Sequence, residues 1–257
     1  MSRAAAPFTA DELTAFDRDG FVIARGLATQ AQVAAIRTRA ENDLTARKAP
    51  LELEADLRYP GAPPSPDAAG GTVIRRLLRA YGRGPEIADW LRATPLVARL
   101  QALLGPRVLM PQAHHNCIMT KHPRYSSDSL WHQDLRYWHY RHGELITAWL
   151  ALGHEHERNG GLQVIPGTHR MSLASERFDE ARFLRLDLAE NQPLLDKRVP
   201  LELEAGDVLF FHCRLLHAAT RNYEQQTKLA AVFTFRRPDD TPIPGTRSAS
   251  LPDVEIA

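Results

Sequence analysis

Apolar positions in the first part of the chain recur every three or four residues; beyond Gly105 they alternate or run in short bursts. TADELTAFDRDG (9–20) reads as a capped helix, with Thr9 as the cap, Glu12 three residues on, and Gly20 as the stop. FVIARGL follows as a short strand. In TQAQVAAIRTRAENDLTARK, Val33, Ile36, Ala40 and Leu44 mark one face of a second helix. Residues 49–72 carry five prolines and several glycines, and a loop of that length is usually a lid or disordered. Two further helical pieces are expected around 73–80 and 85–104, ending at Gly105-Pro106. Arg75, Arg76 and Arg79 would form a basic stripe on the first of them, near the lid.

After Gly105 come RVLMPQAHHNCIMT, SLWHQD, LITAWLAL, GLQVIPG, VPLELEAGDVLFFHC and KLAAVFTFR, separated by turn residues. Their Val, Ile, Phe and Trp content predicts antiparallel strands. Helices first and strands after imply an α+β arrangement around a β-sandwich or barrel. The expected organisation is one domain over 1–257. It comprises a mainly helical part to about 105 with a Pro-rich lid at 49–72, a β core over about 106–240, and a C-terminal tail over 241–257. No internal repeat is visible.

Composition narrows the function classes. A net charge of +1 gives no pointer to nucleic acid or an anionic membrane, and no apolar run could span a bilayer. The N-terminal MSRAAAPFTADELTAF lacks a secretory apolar stretch, so a cytoplasmic location is expected. Cys117 and Cys213 make no disulfide framework and read as small buried residues. Histidine is unusual: nine of the eleven lie between His114 and His169, which hints at metal chemistry.

WHQDLRYWHY (131–140) concentrates that hint. Side chains two apart on a strand share a face, so His132 and Asp134 can both aim inward with Gln133 turned out. Two histidines and a carboxylate on one face of an octahedron suit a non-heme Fe(II) oxygenase. The third ligand should come from AGDVLFFHCRLLHAATRN: His217 follows an apolar pair after a short loop, and His212, ending a strand, is its competitor. A surface strand carrying polar residues would also account for the histidine–aspartate pair alone.

These blocks together resemble the phytanoyl-CoA dioxygenase family of Fe(II)/2-oxoglutarate oxygenases, built on a double-stranded β-helix of jelly-roll or cupin-like form. WHQDLRYW is similar to its first metal motif, LITAWLALGHEHERNGGLQVIPGTHR to its next block, and GDVLFFHCRLLHAATRN to its distal-histidine segment. FDRDGFVIARGLATQAQVAAIR fits its opening, and the likeness spans roughly 10–237. The resemblance implies His132, Asp134 and His217 as ligands of Fe(II), with 2-oxoglutarate and O2 as cosubstrates. It places Trp149 beside the 2-oxoglutarate pocket and gives Asn222 a loop-holding role. Where relatives usually carry an arginine eleven residues after the distal histidine, this chain has Lys228, which can neutralise a carboxylate but cannot form a planar fork. Arg221 is the rival anchor. Lys228 is preferred because it opens the apolar strand KLAAVFTF. Ala219 replaces a serine that many relatives place against 2-oxoglutarate. Arg76 and Cys117 are further candidates on the cosubstrate side.

The expected reaction is oxidation, most simply hydroxylation, of a small molecule with release of succinate and CO2. Retention of Asp134 argues against the halogenating relatives, which lose this carboxylate. Arg136, Tyr137 and Trp138 are candidates for the substrate side, and Arg136 could meet an anionic substrate. His154 and His156 read as a polar loop rather than a second metal site. The alternative is a cupin-like metal barrel that is an isomerase or hydrolase and needs no anchor for 2-oxoglutarate.

Overall fold

A computed structural model describes residues 7–257; residues 1–6, part of the stretch read as lacking a leader, lie outside the described residues. Helix α1 (Ala10–Asp19) starts with the expected reciprocal cap, in which Thr9 N donates to Glu12 and Glu12 N donates to Thr9 Oγ1. It ends at Gly20 in the left-handed region (φ 83°), where a side chain would also strike the His169 ring. Strand β1 (Phe21–Ala24) and helix α2 (Gln30–Thr45) follow, with Val33, Ile36 and Ala40 buried.

Seven strands form the larger sheet: β1, β2 (Leu51–Leu53), β3 (Ile74–Leu78), β5 (Asn116–Lys121), β7 (Ile146–Ala151), β10 (Val208–His212) and β12 (Lys228–Phe235). Its order is β1-β10-β7-β12-β5-β3-β2, antiparallel throughout. The smaller sheet runs β6-β11-β8-β9, from β6 (Ser129–His132), β8 (Leu162–Ile165), β9 (Val199–Pro200) and β11 (Leu216–Ala219). The inner faces of the two sheets meet through Cys117, Trp149, Val164, Phe211, Leu215 and Val232. Helices α2, α3 (Pro85–Leu91) and α4 (Thr94–Leu104) cover the outer face of the larger sheet, burying Ile36, Trp90 and Leu100 against Ile118, Phe210 and Phe233. This is the expected α+β architecture, a double-stranded β-helix with N-terminal helices packed on it. Every residue of β12 is buried because helices cover one side and the inter-sheet space lies on the other. A four-residue helix, α5 (Gln192–Leu195), precedes β9.

Four local expectations are corrected. The segment 73–80 is strand β3 and a short 3-10 turn, so the arginines there form no helical stripe. The segment 85–104 is two helices, because Pro95 has no N–H to continue a helix through it and Ala93 takes extended backbone, leaving Pro95 in the first turn of the second helix. WHQDLRYWHY is not one strand: β6 ends at His132 and Asp134–Tyr137 is a 3-10 turn. The C-terminal residues fold back, β13 (Val254–Glu255) pairing with β4 (Leu109–Met110) and Ile256 being buried. Among the described residues no helix is long and apolar enough to cross a membrane.

Phe233 is fully buried at the centre of β12 with its ring 5.9 Å from that of Trp90. Phe233→Ala is therefore expected to lower unfolding free energy by about 3–5 kcal/mol, read as a shift of the urea midpoint at unchanged slope.

Candidate metal and cosubstrate site

The β6–β11 ladder sets His217 directly opposite His132, with the rings 4.3 Å apart. Each ring is oriented by its own strand. His132 Nδ1 lies 2.7 Å from Leu130 O, and His217 Nδ1 lies 3.0 Å from Leu215 O. A carbonyl can only accept, so both Nδ1 atoms carry the proton and both Nε2 lone pairs point away from the strands. They point at Asp134, whose Oδ1 is 3.8 Å from His132 Nε2 and 3.7 Å from His217 Nε2. The 3-10 turn brings Asp134 there, pinned by Leu135 N donating to Cys213 O in the β10–β11 loop. Asp134 Oδ2 is buried without a hydrogen-bond partner. Burial, and then the neighbouring His217, hold the His132 pKa well below its ordinary value, so the ring is neutral and free to bind a metal. Among the described residues these three are the group of histidine, cysteine and acidic side chains placed to share one ion.

The triad opens into a cavity of about 220 Å³ between the sheets. Lys228 and Lys121 are cross-strand partners on β12 and β5, both buried, and both line it. Lys228 Nζ donates to Glu155 Oε2 at 2.8 Å and lies 4.8 Å from the centre of the Trp149 ring; Trp149 Nε1 donates to the same carboxylate. Lys121 has one hydrogen bond, to Ser127 O, and no ion pair among the described residues. Burial, and then Arg75, push its pKa well below the usual lysine value. Arg76 and Cys117 also line the cavity, and burial raises the Cys117 thiol to about 11, which keeps it protonated.

Arg75 and Arg76 are adjacent, yet both reach the cavity. The β2–β3 register shifts there, Arg76 facing Glu52 and Ile74 facing Leu53, and the bulge turns the extra residue inward. Arg221 is placed outside the cavity: it grips Asp128 at 2.7 Å and packs on Gly61, where a side chain would overlap its guanidinium. Asp128 N donates to Pro60 O, so this pair holds the 49–72 segment down. Of the substrate candidates, Tyr137 and Trp138 line the cavity, and the Tyr137 hydroxyl is 2.8 Å from that of Tyr59 on the lid. Arg136 does not line it; the turn stacks its guanidinium against Phe183 (3.8 Å) and Tyr137 (4.2 Å), because Asp134 is not on the strand that the two-residue spacing assumed. Asn222 holds its loop, donating to Lys121 O and Gln226 O.

The family model described as phytanoyl-CoA dioxygenase (PhyH) matches residues 16–230. The chain belongs to this family. It is 26% identical over 242 residues to human peroxisomal phytanoyl-CoA dioxygenase, covering 90% of this chain and 69% of that protein. Against ectoine dioxygenase of Bordetella parapertussis the identity is 22% over 249 residues, covering 91% and 77%. Among solved structures, EctD from S. alaskensis with 2-oxoglutarate and 5-hydroxyectoine superposes with a TM-score of 0.76 at 22% identity, over 93% of this chain and 79% of that one. The carbocyclase SnoK from nogalamycin biosynthesis gives 0.71 at 20%, over 95% and 90%. These structural likenesses carry the double-stranded β-helix fold.

Within this family member, sequence reasoning missed Lys121, Glu155, His114, His115, Tyr59 and Arg247, all of which line or support the cavity. For Lys121 the strand parity that links it to Cys117 and Met119 was the available signal. Glu155 had none, since it sits in a polar loop. His114 and His115 are held neutral chiefly by burial, with pKa values lowered from 6.5 to about 3 and about 4. The unfolded chain therefore binds protons at these sites that the fold refuses, and stability present above about pH 6.5 is lost as pH falls. Unfolding free energy should drop by up to about 1.4 kcal/mol per pH unit for each histidine between about pH 6 and pH 4, and His115→Gln should flatten that slope in urea titrations.

Proposed function

We propose that this chain is an Fe(II)- and 2-oxoglutarate-dependent dioxygenase that oxidises a small molecule. The observation that carries the reading is the convergence of two oriented Nε2 lone pairs on the buried Asp134 carboxylate at the edge of a cavity containing two buried lysines. The donor set fits a divalent metal: two neutral imidazoles and one carboxylate make the facial arrangement that leaves positions open for other ligands. His132, Asp134 and His217 would hold Fe(II). When bound, the iron and 2-oxoglutarate would supply the reductive use of O2 that ends in oxidation of the substrate, with succinate and CO2 as coproducts.

The chain's own residues do the remaining work. Leu130 O and Leu215 O fix the histidine tautomers, which keeps both ligating nitrogens deprotonated. Lys228 and Lys121 would receive the far carboxylate of 2-oxoglutarate. Lys228 is paired with the buried Glu155, while Lys121, also buried, has no ion pair among the described residues, so the cavity has room for a further negative charge. An uncompensated buried lysine is costly, and an incoming carboxylate relieves that cost. Trp149 and Glu155 hold the Lys228 head in place. The lid, latched by Arg221–Asp128 and Tyr59–Tyr137, covers the cavity and limits its contact with water. A cupin-like isomerase or hydrolase would use the triad but leaves the paired lysines without a role.

Mixing the protein with Fe(II) and 2-oxoglutarate under argon should produce the weak visible charge-transfer absorbance of the chelate, followed by succinate formation in air. His132→Ala and Asp134→Ala should abolish both; an unchanged spectrum in either would remove the ligand assignment. Lys228→Ala and Lys121→Ala should each weaken 2-oxoglutarate binding by about 10- to 100-fold, whereas Arg221→Ala should leave it within about threefold and accelerate proteolysis within 49–72. A larger loss in Arg221→Ala than in Lys228→Ala would reassign the anchor.

A further inference from the structure

The family match ends at residue 230, and the chain beyond β12 runs back across the substrate side of the cavity. It is tied down along its length. Arg141 N donates to Thr241 O, Ile243 N donates to His139 O, and Asp240 accepts the backbone N–H groups of His142 and Glu144. Ser248 is buried and its hydroxyl accepts from His139 N while meeting His114 Nε2 at 2.8 Å. Beside it, Arg247 lines the cavity. Its Nε donates to Ala113 O at 3.1 Å, which aims the guanidinium, and its terminal nitrogens have no protein partner among the described residues.

Arg76, a cosubstrate-side candidate, also lines the cavity. Its Nε is buried with no hydrogen bond, and its ion pair is Glu52 Oε1 at 3.5 Å, which Arg75 Nε shares at the same distance. Arg75 is further engaged by Ser127 and by Glu54. Arg75 and Arg76 therefore answer to Glu52 and Glu54, which leaves Arg247 as the guanidinium on this wall with no ion pair among the described residues. Tyr59, Tyr137 and Trp138 supply flat aromatic faces around it.

We infer that Arg247, delivered by the C-terminal strap, is a specificity-determining residue that receives the carboxylate of a small monoanionic organic acid as substrate. This rests on the dioxygenase reading above for the identity of the reaction. A single guanidinium without an ion pair matches a monoanion better than a phosphate monoester dianion. The two terminal nitrogens of Arg247 can both donate to one carboxylate. The aromatic walls favour an acid with an unsaturated or ring-bearing body.

The test is calorimetric titration of the protein carrying Fe(II) and 2-oxoglutarate under argon. The probes are indole-3-acetate and 3-phenylpropanoate, each beside its primary amide, with phenyl phosphate as the dianion. The acids should bind at least about tenfold tighter than their amides and than phenyl phosphate. Arg247→Gln should erase most of that preference while leaving amide binding unchanged, and Arg247→Lys should restore part of it. Equal binding of acids and amides, no acid binding at millimolar concentration, tighter binding of the phosphate, or full preference in Arg247→Gln would each overturn the proposal. So would loss of the chelate absorbance in Arg247→Gln, which would place the residue on the 2-oxoglutarate side. Absence of that absorbance in the wild-type protein would instead fail the dioxygenase reading, and the acid–amide comparison would still report on Arg247.

Discussion

His217 stands opposite His132 because β11 pairs antiparallel with β6 in a register that places the two residues on one rung. The cavity's chemistry depends on that rung. A one-residue slip would send one imidazole to the other face of the sheet and separate the two lone pairs. The register is held by apolar neighbours: Leu215 and Leu216 are fully buried on opposite sides of the same ladder, one toward the larger sheet and the other toward Trp131 and Ile165. Packing thus determines where the polar atoms lie.

The interior around this rung is unusually charged for a sandwich core. Arg75, Lys121, Lys228, Glu54 and Glu155 are all buried with the triad. Each burial costs solvation free energy, and pairing offsets only part of it. Arg75 has Glu54 and Ser127, and Lys228 has Glu155, but Lys121 has a single carbonyl. A cavity whose charges are incompletely matched in the protein alone is suited to an anionic cosubstrate that completes the match. The rigid larger sheet, covered by helices on its other face, keeps these groups from relaxing toward water.

In the proposed reading Lys228 stands where the resemblance leads one to expect an arginine, and its head group has structural partners. A lysine head lacks the fixed fork of a guanidinium, and this chain orients it with Glu155 on one side and the Trp149 ring on the other. Arg221, the nearest alternative in sequence, is committed to Asp128 and the lid. The same logic separates Arg136 from Arg76: the first is enclosed by Phe183 and Tyr137, and the second is turned inward beside a bulge.

Much was legible in the sequence. Capping residues and helical spacing located α1 and α2, turn residues and β-branched runs located the core strands, and the motif blocks pointed to the three residues that the fold brings together and to Trp149 on the cavity wall. These are local signals, written in the order of neighbouring residues. Other features were not legible, for physical reasons. IRRLL is a strand because β5 and β2 flank it, which overrides the weak helical pattern of its own residues. Asp134 meets the histidines from a 3-10 turn held by Cys213 O, and not by strand parity. Glu155, Lys121 and Arg247 converge from a loop, a strand end and the C-terminal strap, and only the packing of two sheets across one cavity sets charges so distant in sequence against each other.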